Sequence, residues 1–311
     1  MNQTIPSGVW PTMITPFTDS NKIDYSGLGE LIEWYLKANV DGLFAVCQSS
    51  EMFYLSLDER EELARFIVKK VKKRIPIIAS GHVSNTIECQ IEEIKRITST
   101  GVNAVVLLVN RFASQDESDD IWKKNFEKFL TALSNNVLLG LYECPYPYKR
   151  LISPALIKWC ISIDRDRFVF LKDTSCDINN MREKLKVTKG SSLKVFNANS
   201  ATLLQSLRDG ISGYCGLMAN LCPELYRWLT KNWSIYPKKA QELQDFLGAI
   251  APIEKRLYPI CAKEFLQLEG LNINLNTRSK NISEYLPSYR LEIKQLRNLC
   301  QSYIKKYRLI K

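Results

Sequence analysis

Three observations in this 311-residue sequence predict an α/β fold, a TIM (β/α)8 barrel with a helical C-terminal extension. Short apolar runs rich in β-branched residues alternate with longer stretches of helical periodicity. Eight of these runs recur within about 220 residues, a rhythm that fits eight βα units. Near Pro223 the strand-like runs stop while helical patterning continues. The barrel, carrying the active site, is therefore assigned to residues 1–223, and the extension to residues 224–311.

The expected strands are residues 9–15, 42–46, 75–79, 104–109, 137–142, 168–172, 193–198 and 213–217. They lack the alternation of a half-exposed strand, as parallel strands covered on both faces do. Helical periodicity fills residues 25–38, 58–73, 86–100, 118–133 and 154–161 between them. Asp58 and Glu61 have the spacing of a capping box, and Ser153 places a cap before the first-turn proline Pro154. In the extension, residues 225–233, 238–257, 262–268 and 287–306 read as helices. An open doubly wound sheet shares this local pattern, but neither GxGxxG nor a GxxxxGK loop occurs, which weakens that version.

Hydrophobic residues at 45% and charged residues at 24% are enough to bury a full core. No run of about eighteen apolar residues suggests a membrane span. The N-terminal stretch lacks a basic region followed by an apolar one, so no signal peptide is read there. Nine scattered cysteines without a CxxC pair point to reduced thiols and a cytoplasmic setting. His82 is the only histidine, which argues against zinc fingers and zincins and makes any Ser-His-Asp or Cys-His mechanism depend on that one residue. The net charge of +10 is concentrated partly at Arg290, Lys294, Arg297, Lys305, Lys306, Arg308 and Lys311, opposed there by Glu292 alone. These lie at helical spacing among Leu, Ile and Tyr, the pattern of a solvated helix face rather than a nucleic-acid surface.

In a TIM barrel the chemistry sits at the C-terminal ends of the strands. The sixth expected strand, FVFLKD, ends at Lys172. An ammonium there is costly to desolvate, which favours the neutral amine that attacks a ketone to form an imine. Taken singly, Lys172 is more often a snorkelling side chain paired with an acid such as Asp173. The fifth strand, VLLGLYE, ends at Tyr142, a phenol placed to move protons. After the second strand, CQSSE sets the Ser49 and Ser50 hydroxyls beside a turn, where they and backbone amides can hold a carboxylate.

Those segments, with GVWPTMITPF, LSLDER, IPIIASG, LYECP, FLKDTSCD and DGISGYCGLMAN, resemble the dihydrodipicolinate synthase / N-acetylneuraminate lyase family along nearly the whole chain. The resemblance implies a pyruvate-type imine on Lys172, with Tyr142 as proton shuttle and no cofactor or metal. The family's second-strand loop usually reads Gly-(Ser/Thr)-Thr-Gly-Glu. Cys47, Gln48, Ser49, Ser50 and Glu51 stand in those places, so Ser49 keeps the second hydroxyl while Gln48 replaces the first. Together with Cys215, these residues make up the expected keto-acid pocket: Gln48, Ser49 and Ser50. The synthases end strand four in a Tyr-Tyr pair that reaches the neighbouring subunit; here Phe112 and Ala113 lack both hydroxyls. They also carry an arginine after strand five, near which Pro147 falls here, with Lys149 and Arg150 following. Glu143 adds a negative charge expected near the mouth.

The sequence thus reads as a Schiff-base lyase of the aldolase type acting on pyruvate or another 2-keto acid. A second substrate, an aldehyde other than that of the synthases, is expected over Glu143, Tyr146, Lys149 and Arg150. Rival readings are a 2-keto-3-deoxy-sugar-acid aldolase or dehydratase, and a catalytically retired barrel that binds a keto acid. Family members form tight dimers and tetramers, so a homodimer or homotetramer is implied. Cys47, Cys144, Cys176 and Cys215 near the strand ends are read as packing, and His82 as a loop histidine satisfied by backbone groups.

Overall fold

The computed structural model describes residues 5–307. Arg308 and Lys311 lie outside the described residues. The chain alternates β1 (Gly8–Val9), α1 (Tyr25–Lys37), β2 (Leu43–Phe44), α2 (Leu57–Val71), β3 (Ile77–Ala79), α3 (Ile87–Ser99), β4 (Ala104–Leu108) and α4 (Asp119–Thr131). It continues through β5 (Leu139–Tyr142), α5 (Pro154–Ile163), β6 (Phe168–Asp173), α6 (Ile178–Thr188), β7 (Lys194–Asn197), α7 (Leu203–Arg208), β8 (Gly213–Tyr214) and α8 (Pro223–Asn232). The strands are parallel, in the order β1-β8-β7-β6-β5-β4-β3-β2. The ring closes beyond β1: Phe44 N donates to Pro11 O at 3.0 Å and Met13 N to Phe44 O at 3.0 Å. At the β1–β8 seam Gly213 has φ +154°, and a Cβ there would stand 1.9 Å from the Gly8 carbonyl oxygen. Only glycine lets these two backbones meet.

The barrel interior is filled with aromatic rings. Phe170 stacks on Phe196 at 4.3 Å between centroids, Trp10 meets both edge-on, and Phe44 closes the layer against Phe170. The pairing of β5 with β6 shifts by one residue between Leu139 and Gly140, so Phe168 and Phe170 face opposite ways. Phe168 therefore stacks with Phe126 of α4, while Phe170 supports the interior. Alternation from Phe170 then turns Lys172 inward and Asp173 outward.

Helix starts follow local chemistry, with one correction. The α2 cap is Ser56, whose hydroxyl accepts from Glu59 N at 3.1 Å while Glu59 returns to Ser56 N at 2.9 Å. Asp58 and Glu61 instead bind Arg96 of α3, at 2.5 Å each, because the cap falls two residues earlier than expected. Ser153 does cap α5, accepting from Leu156 N at 3.1 Å ahead of Pro154.

The division expected at residue 223 falls at the start of α8, the eighth barrel helix, which packs on β1. Beyond it come α9 (Pro237–Ile250), a 3₁₀ turn (Ala251–Lys255), α10 (Ile260–Leu268) and α11 (Pro287–Lys306). The single helix expected over 238–257 breaks at Ala251 because Pro252 has no N–H to continue the ladder. The basic residues of α11 are partly neutralised within the chain: Arg290 pairs with Glu264, Arg297 with Glu269 and Lys306 with Glu242. Among the described residues no helix is long and apolar enough to cross a membrane.

Candidate active site

Lys172 and Tyr142 are register partners at the C-terminal ends of β6 and β5. Both project into one cavity of about 660 Å³ at the barrel mouth. Lys172 is 4% exposed, and its Nζ lies 4.6 Å from the Tyr142 ring centroid and 5.8 Å from that of Phe44. Among the described residues no carboxylate forms an ion pair with Lys172. Asp173, the acid that a structural role would pair with it, faces outward and binds Lys184 of α6 at 2.5 Å. Burial holds the Tyr142 phenol well above its ordinary range, so it enters chemistry protonated. Its hydroxyl points to Gln48 Oε1 at 3.4 Å, a long and weak bond.

The second-strand loop turns through a 3₁₀ segment (Gln48–Ser50), which sets Gln48 and Ser49 on the cavity wall. Ser49 Oγ donates to Thr12 Oγ1 at 3.1 Å and shares a hydrogen bond with Tyr258. Asn220 Nδ2 donates to the Tyr258 hydroxyl at 2.9 Å and to Thr12 O at 2.9 Å, while Tyr35 donates to Asn220 Oδ1. A polar chain therefore links strands one and two to the extension beneath the expected carboxylate position.

Several expected binding residues stand elsewhere. Ser50 is buried, donating to Met13 O at 2.7 Å and Ala45 O at 2.5 Å; its hydroxyl fastens the loop and does not reach the cavity. Cys215 is fully buried behind the wall formed by Gly216, and burial pushes its thiol up to about 12. Glu143 is not at the mouth. It alternates outward from Tyr142, is fully buried, binds Lys184 at 2.5 Å and accepts from Ile152 N and Thr174 N at 2.9 Å. Burial, reinforced by Asp173, raises its carboxyl against the pull of Lys184. Arg150 points away from the cavity, to Asp119, Ser114 O and Glu117 O at 2.9 Å each. Lys149 and Tyr146 do line the cavity, and Lys149 donates to Thr174 O.

Phe112 lies buried under α4, edge-on to Trp122, Phe126 and Phe129. His82 is buried too: Nε2 accepts from Leu108 N at 2.6 Å and Nδ1 faces Gln90 Oε1 at 3.1 Å. Burial drops its imidazole to about 4, so it is neutral. Cys47 and Cys144 are buried, whereas Cys176 is exposed at the cavity edge.

Sequence reasoning missed the far wall. Glu254, Lys255 and Tyr258 reach the cavity from the turn after α9, and Ser279 and Lys280 from the loop before α11. That loop is held by Glu51, whose Oε2 accepts from Arg278 N and Ser279 N at 2.7 Å each. The one available signal was Pro252, which breaks the helical pattern where the chain bends over the barrel.

Fold and site together define a TIM-barrel protein with a buried lysine and a tyrosine side by side in its mouth. The chain belongs to the dihydrodipicolinate synthetase family, which it matches over residues 5–292. It is 25% identical over 276 residues to a 4-hydroxy-tetrahydrodipicolinate synthase of Acetivibrio thermocellus, covering 88% of this chain and 90% of that protein. It is 27% identical over 229 residues to YagE of Escherichia coli K12, provisionally named a 2-dehydro-3-deoxy-D-gluconate aldolase, covering 73% and 74%. The crystal structure of YagE superposes with a TM-score of 0.84 at 22% identity, covering 95% of this chain and 98% of that one. Membership in this family supports a class I aldolase or lyase.

Proposed function

We propose that the chain is an imine-forming lyase of the aldolase type, in which the Lys172 amine condenses with C2 of pyruvate or another 2-keto acid. The observation that carries this reading is the unpaired, buried Lys172 registered beside Tyr142 in one cavity. Ser49, with the amides of its turn, holds the keto-acid carboxylate. Lys172 attacks the carbonyl, Tyr142 donates the proton that lets the carbinolamine lose water, and the iminium withdraws electrons from C3. The chemistry needs no cofactor beyond the lysine. The crystal structure of YagE was determined in complex with pyruvate, which supports a keto acid of this kind.

A 2-keto-3-deoxy-sugar-acid aldolase or dehydratase is the version that the cavity favours. Its volume of about 660 Å³ exceeds what a three-carbon acid fills and falls in the range of larger ligands. Among the described residues no arginine lines it, while Lys149, Lys255 and Lys280 ring its edge as point charges for an anion. The same reading makes the enzyme cytoplasmic and a homodimer or homotetramer, in keeping with its family.

Borohydride reduction in the presence of pyruvate tests the proposal. Mass spectrometry should find a reduced adduct on Lys172, absent from Lys172→Ala. Tyr142→Phe should slow exchange of the pyruvate C3 protons with D₂O by about 10²–10⁴. A wild-type protein that forms no adduct with pyruvate or a panel of 2-keto acids would be the retired barrel instead.

A further inference from the structure

We propose that Glu254 is a catalytic residue supplied by the C-terminal extension, acting on the C4 hydroxyl of a 4-hydroxy-2-keto acid bound as the Lys172 imine. This rests on the imine reading above and deepens it. In the cleavage direction the Glu254 carboxylate takes the hydroxyl proton. The C3–C4 bond breaks, its electron pair moves into the iminium to give the enamine, and the aldehyde departs. The proton held by Glu254 then returns to enamine C3 by way of solvent, and water hydrolyses the imine to release the 2-keto acid and the free lysine. In condensation the protonated Glu254 gives its proton to the aldehyde oxygen.

Place, freedom and need converge on this residue. Glu254 sits in the 3₁₀ turn (Ala251–Lys255) that Pro252 creates, on the cavity wall across from the strand ends. The cavity has two carboxyl residues in its lining, Glu51 and Glu254. Glu51 is occupied by the amides of Arg278 and Ser279. Glu254 makes no hydrogen bond or ion pair among the described residues. It is half-buried, and that burial raises its carboxyl while Lys172 and Lys255 pull it down. A carboxyl raised in this way takes up a proton more readily than an ordinary exposed carboxylate.

The need comes from the tyrosine. Tyr142 is held protonated by burial, and its hydroxyl faces the Gln48 amide oxygen. An amide oxygen accepts a hydrogen bond but does not pass a proton on, so no base stands behind the phenol on that side. Phe112 offers no hydroxyl either, being packed beneath α4. With Tyr142 occupied by the imine steps, a separate base for the C4 hydroxyl is available on the opposite wall, where Glu254 is the uncommitted carboxyl.

The charged and titratable groups that face Glu254 are Lys172 from β6, Tyr214 from β8, Cys261 from α10 and Lys255 from its own turn. Burial keeps Tyr214 and Cys261 uncharged near neutrality, so the lysines set the field. Cleavage requires the carboxylate, so its rate falls as pH drops through the raised Glu254 pKa. Condensation requires the acid, so its rate falls as pH rises through the same value.

The test measures two readouts on wild type, Glu254→Gln and Glu254→Asp. The first is the borohydride adduct with pyruvate. The second is pyruvate release from 4-hydroxy-2-keto acids of four to seven carbons. Glu254→Gln should trap pyruvate as wild type does, cleave about 10²–10⁴ times more slowly and lose the acidic limb of the pH profile. Glu254→Asp should recover part of the rate. The inference is overturned if Glu254→Gln cleaves within threefold of wild type, or loses trapping and cleavage together. It is equally overturned if wild type traps pyruvate yet cleaves no member of the series. A wild type that traps nothing defeats the imine reading itself, a distinct result.

Discussion

The two walls of the cavity are built in different ways. The strand-end wall, with Tyr142 and Lys172, consists of adjacent parallel strands whose register fixes one side chain beside the other. The next residues, Glu143 and Asp173, alternate to the outer face, where both are gripped by Lys184. The far wall, with Glu254, Tyr258 and Lys280, hangs from side-chain bonds that cross long stretches of chain, such as Glu51 to Ser279 and Asn220 to Tyr258. The lesson is a division of labour. The groups proposed to form the imine sit where backbone geometry leaves no freedom, and those proposed to act on the rest of the substrate, Glu254 among them, sit where sequence can change without disturbing the barrel.

The largest effect that would break this contrast concerns Lys184. Glu143, Asp173 and Lys184 are all fully buried, so removing the ammonium leaves two carboxyls facing each other without a cation. Lys184→Met should cost about 3–5 kcal/mol of unfolding free energy, read from the urea midpoint. Pairing it with Glu143→Gln should restore part of that loss, because one of the buried charges is then gone. A cost below about 1 kcal/mol would mean that the strand ends hold themselves and the clamp is incidental.

A smaller effect is expected at Tyr258, where the far wall touches the keto-acid end. Tyr258→Phe removes a hydroxyl that binds Ser49 and accepts from Asn220. Asn220 Nδ2 keeps Thr12 O and Leu217 O as acceptors, so the loss falls near the low end of the range for a broken hydrogen bond, about 1 kcal/mol. It should appear as a roughly fivefold higher pyruvate concentration for half-maximal borohydride trapping, with the fold unchanged. No change would separate the far wall from the carboxylate pocket altogether.

The same contrast explains what could be read from sequence. Apolar runs of the right length reveal strands, and the strand ends of a barrel share one mouth, so sequence alone brings Lys172, Tyr142 and Ser49 together, and the structure sets all three on one cavity wall. Parity along the strand was the missing step: Glu143 follows Tyr142 and Asp173 follows Lys172, so one residue in each pair must face out. Counting by two would have moved Glu143 off the mouth. Ser50 was misplaced because a loop hydroxyl is as useful for closing a turn as for binding a ligand. Glu254 was invisible for a different reason. Its position depends on where a broken helix lies against a barrel strand 82 residues upstream (Lys172 to Glu254), and no local pattern encodes that path.

The smallest predicted effect is the sharpest test of the division, because it concerns the residue that chain position favoured and geometry rejects. Arg150 follows strand five, three residues past Pro147, near which the family carries its carboxylate-gripping arginine, and its guanidinium is spent on the start of α4. It binds Asp119, whose other oxygen accepts from the α5 cap Ser153 at 2.9 Å, and it also donates to the carbonyls of Ser114 and Glu117. The pair is only partly enclosed, so Arg150→Ala should cost no more than about 1 kcal/mol in stability. On any anionic substrate that the enzyme cleaves, KM should change less than twofold, while Lys280→Ala, on the far wall, should raise it by more. A tenfold rise in KM for Arg150→Ala would mean that the loop rearranges around substrate and brings the guanidinium inward. Selection would then belong to the strand-end wall after all, and the two walls would no longer divide the work.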